Sequence, residues 1–128
     1  IQLSFNNLSK IDTKIKNSLY LIWKKPYMSV NENTFINDML KKNNWKNSVG
    51  SYKSRYPELS IEKIIEINPE IIFLSSEPYP FKEKDVEDFK QKLPNTKVML
   101  VDGEMFSWYG SRLIKSPEYF QKLHKLIG

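Results

Sequence analysis

Three acidic side chains, Glu77, Asp102 and Glu104, fall just after apolar runs of strand length, where the loops of an α/β sheet would gather. A carboxylate pair there could carry acid–base work, and all three could hold a hard metal ion, although no ligand spacing supports a metal. Solvated loop carboxylates or helix caps are the plainer account of the same residues. The chain has one histidine, His124, near its end on an amphipathic stretch. It has no plausible serine or cysteine partner in a strand–loop setting, so a nucleophilic triad is not expected and His124 reads as solvent-facing or half-buried. Cysteine is absent, which removes thiol nucleophiles, disulfides and cysteine metal sites. Gly50, Gly103, Gly110 and Gly128 form neither a dinucleotide fingerprint nor a phosphate loop. Arg112, after Gly110-Ser111, could grip a carboxylate or phosphate through two nitrogens. Bracing its own loop through backbone carbonyls is the preferred account.

Aromatic residues make a different kind of pattern. Three candidate loops, 23–28, 77–81 and 102–112, carry Trp23, Tyr27, Tyr79, Phe81, Phe106, Trp108 and Tyr109. Rings supply large rigid contact area at low entropic cost, which suits a flat, partly apolar ligand. The alternative is that each ring caps the core beneath it. Glu32, just before a helix start, either favours the helix dipole or offers a docking charge to a partner.

These residues need elements to position them. Leu8, Ile11 and Ile15 share one face of a helix expected over 5–16. Residues 18–23 (SLYLIW) read as a strand. Thr34 is an N-cap for a helix over 35–43, with Phe35, Met39 and Leu40 as its buried stripe. Residues 43–57 read as irregular. Ser60 caps a helix over Ile61–Ile67, with Glu62 suiting its positive end, and Asn68-Pro69 breaks it. Ile71–Ser75 and Lys97–Val101 read as buried strands on either side of a helix over 84–93 that turns in Val86, Phe89 and Leu93. Ser116-Pro117 opens a closing helix with Tyr119, Phe120, Leu123 and Leu126 on its inner face. Continuously apolar strands alternating with helices imply a short parallel sheet covered on both faces, a three-layer α/β/α sandwich.

The 128 residues suit one domain, and their content of Ile, Leu and aromatics is too high for a disordered chain. No apolar run approaches the roughly 20 residues of a membrane-spanning helix. The net charge of +5 comes from scattered lysines interleaved with Glu and Asn, with arginine at Arg55 and Arg112 alone. A nucleic-acid surface shows a basic stripe with arginines and interleaved aromatics, so no nucleic-acid partner is expected. The chain opens Ile1-Gln2-Leu3 without initiator methionine or signal segment, and is expected to be a piece of something longer.

From residue 18 to 126 the chain resembles the C-terminal lobe of the helical-backbone (class III) substrate-binding proteins of ABC importers, with the cobalamin- and iron-siderophore-binding branch nearest. The pieces that carry the resemblance are the proline–aromatic segment 21–27, the helix start Asn33-Thr34-Phe35, and Tyr56-Pro57-Glu58-Leu59-Ser60-Ile61-Glu62. Asn68-Pro69-Glu70-Ile71 before a strand, and Val101-Asp102-Gly103 through Gly110-Ser111-Arg112, complete them. Their order and spacing carry more than any single one. The resemblance implies two α/β lobes joined by one long helix, with residues 1–17 as the tail of that helix and 18–128 as the ligand-binding lobe. It implies a non-enzyme in the periplasm or cell envelope that clamps a bulky metal chelate (a cobalamin-like corrinoid, a ferric siderophore or haem) and delivers it to a membrane permease. The N-terminal lobe of the same protein is then a partner, and no cofactor is implied beyond the ligand.

By the same resemblance Tyr27, Tyr79, Phe81, Phe106 and Trp108 match cleft-facing positions. Trp23, Glu77, Tyr109 and Arg112 on the same loops complete the candidate ligand-binding set. By the resemblance, family members dock on arginines of the permease through an acidic residue at the start of the helix equivalent to the one over 35–43. Asn33 stands at that position here, with Glu32 beside it as the docking candidate. The rival of another class is a small α/β enzyme or receiver-like domain using Glu77, Asp102 and Glu104. A receiver needs an acidic pair after its first strand, where this chain has Trp23-Lys24-Lys25. A purely structural interaction domain would instead pack the loop aromatics inward.

Overall fold

The computed structural model describes residues 15–103 and 116–127. In chain order the elements are β1 (Lys16–Leu21), β2 (Tyr27–Met28), α1 (Phe35–Lys42), β3 (Trp45–Asn47), β4 (Glu58–Leu59), α2 (Ile61–Ile67), β5 (Ile71–Ser75), α3 (Glu83–Lys92), β6 (Lys97–Val101) and α4 (Ser116–Ile127). The apolar runs of β1, β5 and β6 join β3 in a four-stranded parallel sheet of order β3-β1-β5-β6. Tyr20 pairs with Phe73 and Leu74 with Leu100 across this ladder.

Side chains alternate between the two faces of a strand, and here both faces are apolar. Tyr20, Ile71, Phe73 and Val101 point to one side, where they pack with Met39 and Leu40 of α1 and Phe120, Leu123 and Ile127 of α4. Leu19, Leu21, Ile72, Leu74 and Val98 point to the other, onto Ile64 of α2 and Val86 and Phe89 of α3. The expected α/β/α sandwich is therefore the observed one, with α1 and α4 in one outer layer and α2 and α3 in the other.

Local signals set the helix starts. The Thr34 hydroxyl accepts from the Asn37 N–H at 3.2 Å and donates to the Asn31 carbonyl at 2.9 Å, so the cap is tied to the loop before it. Ser60 Oγ accepts from the Lys63 N–H at 3.1 Å, and Asn68 ends α2 in the left-handed region at φ 49°. Lys82 has no side-chain acceptor to offer α3; Asp85 accepts from the Lys82 N–H at 2.9 Å instead.

Several expectations need correction. The strand expected at 18–23 begins at Lys16, so the helix expected over 5–16 does not extend to Ile15 and Lys16; residues 5–14 lie outside the described residues. Residues 43–57 are not wholly irregular, because Trp45–Asn47 forms the edge strand β3. On α4, Leu126 is 58% exposed and Ile127 takes the core position expected of it. His124 is buried, not solvent-facing: it stacks on Trp45 with ring centroids 4.6 Å apart, and its Nε2 lies 3.3 Å from Asn43 Oδ1.

Candidate functional site

The strand order creates the site. From β1 the chain turns through α1 to β3, on one side, whereas from β5 it turns through α3 to β6, on the other. The loops leaving β1 and β5 diverge at their carboxyl ends, and a crevice must open between them. An open cleft of about 570 Å³ lies there, within the roughly 300–1,000 Å³ of small-molecule sites. Ile22, Met28, Val30 and Ile36 make its lining largely apolar. Trp23 and Tyr56, 39% and 45% exposed, bring rings to it, and Glu77 and Pro78 line it from the β5 loop.

Hydrogen bonds hold the two loops in register. On the β1 side, Ile22 N–H donates to Met28 O at 2.9 Å and Met28 N–H to Trp23 O at 3.1 Å, closing a tight reversal. Tyr79 N–H donates to Ile22 O at 3.2 Å, joining the β5 loop to the β1 loop. Beneath them the buried Tyr20 hydroxyl donates to Ser75 Oγ at 3.2 Å, which donates to the Glu77 carbonyl at 2.6 Å. Burial drives the Tyr20 phenol far above its ordinary range, so it serves as a neutral donor. Gly103 completes the floor: its N–H donates to Ser76 Oγ at 3.0 Å, and a Cβ there would collide with Ser75 Oγ and lie 2.9 Å from Glu77 Cγ.

One ion pair anchors the β1 loop from below. Lys24 Nζ lies 2.6 Å from Asp85 Oδ1 at the start of α3, with the Asp85 side chain 2% exposed. Burial by itself would raise the Asp85 carboxyl, but the Lys24 ammonium and the Lys82 N–H outweigh it and hold it below the usual carboxylate range. The same hydrogen bond raises Lys24 above its ordinary value. At the β6 end, Asp102 N–H donates to the Tyr119 hydroxyl at 2.7 Å, and burial raises that phenol.

The candidate residues divide sharply. Trp23 and Glu77 line the cleft. Tyr79 is half-buried and stands edge-on between Trp23, 5.7 Å away, and Phe81, 4.8 Å away. Phe81 is a core residue, 5% exposed, and not a rim residue. Tyr27 leans onto Phe89 at 5.2 Å, on the α2/α3 side of the sheet, and burial raises its phenol. Trp23, Tyr79 and Phe81 thus form a chain of rings descending into the core, with Trp23 as the member that lines the cleft, while Tyr27 stands apart on Phe89. Glu104, Phe106, Trp108, Tyr109 and Arg112 lie outside the described residues. Glu32 is exposed ahead of α1 and lines a separate groove beside β3 with Lys41 and Lys46.

Sequence reasoning missed Tyr56, Met28, Val30 and Ile36. Tyr56 falls in the stretch expected to be irregular, and it reaches the cleft because β2 and β4 pair antiparallel, Met28 opposite Glu58. The proline–aromatic segment before Ser60 is the signal that could have found it. Among the described residues no group of three or more His, Cys, Asp or Glu side chains is placed to hold a metal ion, and no helix is long and apolar enough to cross a membrane.

No protein-family model matches the chain, and no curated protein matches it. Solved structures do. A possible iron-binding periplasmic solute-binding protein from Staphylococcus epidermidis superposes with a TM-score of 0.73 at 24% identity, over 98% of this chain and 49% of its own. The periplasmic vitamin B12 binding protein BtuF of Vibrio cholerae gives 0.72 at 15% identity, over 98% and 51%. The periplasmic heme binding protein HutB of Vibrio cholerae gives 0.70 at 18% identity, over 98% and 52%. The chain thus has the fold of one lobe of class III periplasmic binding proteins, and it spans about half the length of each of these structures.

Proposed function

We propose that this chain is the C-terminal ligand-binding lobe of an ABC importer's substrate-binding protein. It would close on a bulky metal chelate (a corrinoid, a ferric siderophore or haem) together with an N-terminal lobe, outside the cytoplasm, and hand the ligand to a membrane permease. The observation that carries this is the apolar cleft at the carboxyl edge of the sheet, where the loops of β1 and β5 part and Trp23 and Tyr56 present their rings. A large ligand with flat apolar surface gains most from such rings, and a single lobe supplies only half of its contacts. That proteins of the same fold bear names as vitamin B12- and heme-binding proteins supports the ligand class. Binding without chemistry suits the cleft's make-up: apolar side chains, two rings, one carboxylate and a neutral Tyr20–Ser75 hydrogen bond.

Glu32 is the docking residue on this lobe. It is exposed beside the start of α1, where a carboxylate can reach a permease arginine without losing a side-chain partner among the described residues. Calorimetric titration of the full-length protein with cobalamin, a ferric hydroxamate and haem, followed in parallel by tryptophan fluorescence, tests the function. Saturable binding of at least one of the three is expected. Absence of binding with all three overturns the proposal.

A further inference from the structure

The charge at the cleft is opposite to that of the chain. Lysine and arginine outnumber aspartate and glutamate by 20 to 15, yet among the described residues the one charged side chain lining the cleft is Glu77. The cation adjacent to Trp23, Lys24, is committed to Asp85 at 2.6 Å and thereby neutralised. The backbone of Glu77 is held in place, with its side chain exposed at the cleft. Its N–H and carbonyl engage Ser75 Oγ at 3.3 Å and 2.6 Å, and its Cγ lies against Gly103, where no side chain competes for the space. An exposed carboxylate at the mouth of an apolar cleft repels an anionic substituent and accepts hydrogen bonds from amide or ammonium groups.

We infer that Glu77 makes this cleft selective for chelates with an amide-rich or cationic periphery over chelates of the same core bearing carboxylates. The inference rests on the ligand-binding role proposed above and narrows its ligand class.

Matched probes test it on the full-length protein. Dicyanocobinamide, with an amide periphery, is paired with the corrin heptacarboxylate dicyanocobyrinic acid. Ferrioxamine B, with a pendant ammonium, is paired with its N-succinyl derivative. The wild type is expected to bind the amide or ammonium member of at least one pair more tightly, and Glu77→Gln to shrink that preference about three- to fivefold. High salt is expected to shrink it as well. Asp102→Asn, which removes an exposed carboxylate of the same edge that is not in the lining, is expected to leave the preference intact. A wild type that prefers the carboxylates, a preference unchanged in Glu77→Gln, or an equal loss in Asp102→Asn overturns the assignment to Glu77 while leaving the lobe a binding lobe. Failure of all four probes to bind overturns this inference, and it overturns the ligand-binding role itself where haem also fails to bind.

Discussion

Two hollows mark this lobe, and they differ in a way that volume alone would misjudge. The groove beside the edge strand β3 is the larger, at about 720 Å³ against about 570 Å³ for the cleft. Asn37, Lys41, Lys46 and Ser48 line the groove, whereas Ile22, Met28, Val30 and Ile36 line the cleft. The groove's ring among the described residues, Trp45, is 1% exposed and belongs to the core; the cleft sets Trp23 and Tyr56, open to solvent, above the buried Tyr20. The groove flanks an edge strand, whereas the cleft sits where the crossovers reverse direction. Topology and lining, not size, single out the cleft as the proposed binding site.

Substitutions on either side can break or sharpen that contrast. The largest effect is expected from Trp45→Ala, which empties a core position packed on Phe73 at 4.8 Å and stacked on His124. It is expected to cost about 3–5 kcal/mol in thermal or denaturant unfolding. Ligand affinity of the protein that remains folded should not change; a loss of affinity without a loss of stability would move the site to the groove.

Asp85→Ala comes next, because it strips Lys24 of its buried partner below the cleft. Losing this charge-assisted hydrogen bond, with the Asp85 cap on the Lys82 N–H, is expected to cost about 1.5–3 kcal/mol. It carries a pH signature with a definite sign. The Asp85 carboxyl is lowered in the fold, so its contribution is complete above the ordinary carboxylate range and fades as pH falls through the lowered value. Lys24 is raised, so its contribution is complete below the ordinary lysine range and fades as pH rises through the raised value. Wild-type melting temperature should therefore drop towards both extremes, and Asp85→Ala should flatten the curve at both.

Gly103→Ala is expected to act on the cleft more than on the fold. The new methyl would meet Ser75 Oγ and Glu77 Cγ, and relieving that contact pushes the β5 loop towards the opening. A cost of about 1–3 kcal/mol in unfolding is expected, with weakened ligand binding in calorimetry. A variant that binds as well as the wild type would show that the floor at Gly103 plays no part in the site.

How much of this is legible in the sequence depends on how far each residue's determinants lie along the chain. Strands β5 and β6 and the start of α2 are legible to the residue, because a continuous apolar run and a serine cap are local signals. Strand β3 is not, because Trp45-Lys46-Asn47 has no such run and becomes a strand only by pairing with Lys16, Asn17 and Ser18 of β1. His124 escapes sequence reading for the same reason: it is buried by Trp45 and Asn43, far away in sequence. The rim residues show the limit most clearly. Trp23 and Phe81 are both rings in loops after strands, but one lines the cleft and the other supports Tyr79 from the core. Composition could place rings at this edge of the sheet, whereas the loop hydrogen bonds decide which of them turn outward.

The central claim, that the carboxyl-edge cleft rather than the β3 groove takes the ligand, is tested most directly by one pair of variants. Calorimetric titration of the full-length protein with whichever of cobalamin, ferric hydroxamate or haem binds the wild type would be repeated on Trp23→Ala and Lys46→Ala. Trp23→Ala is predicted to weaken binding about tenfold or more and Lys46→Ala to stay within about twofold of the wild type. A weakened Lys46→Ala beside an unaffected Trp23→Ala would contradict the account.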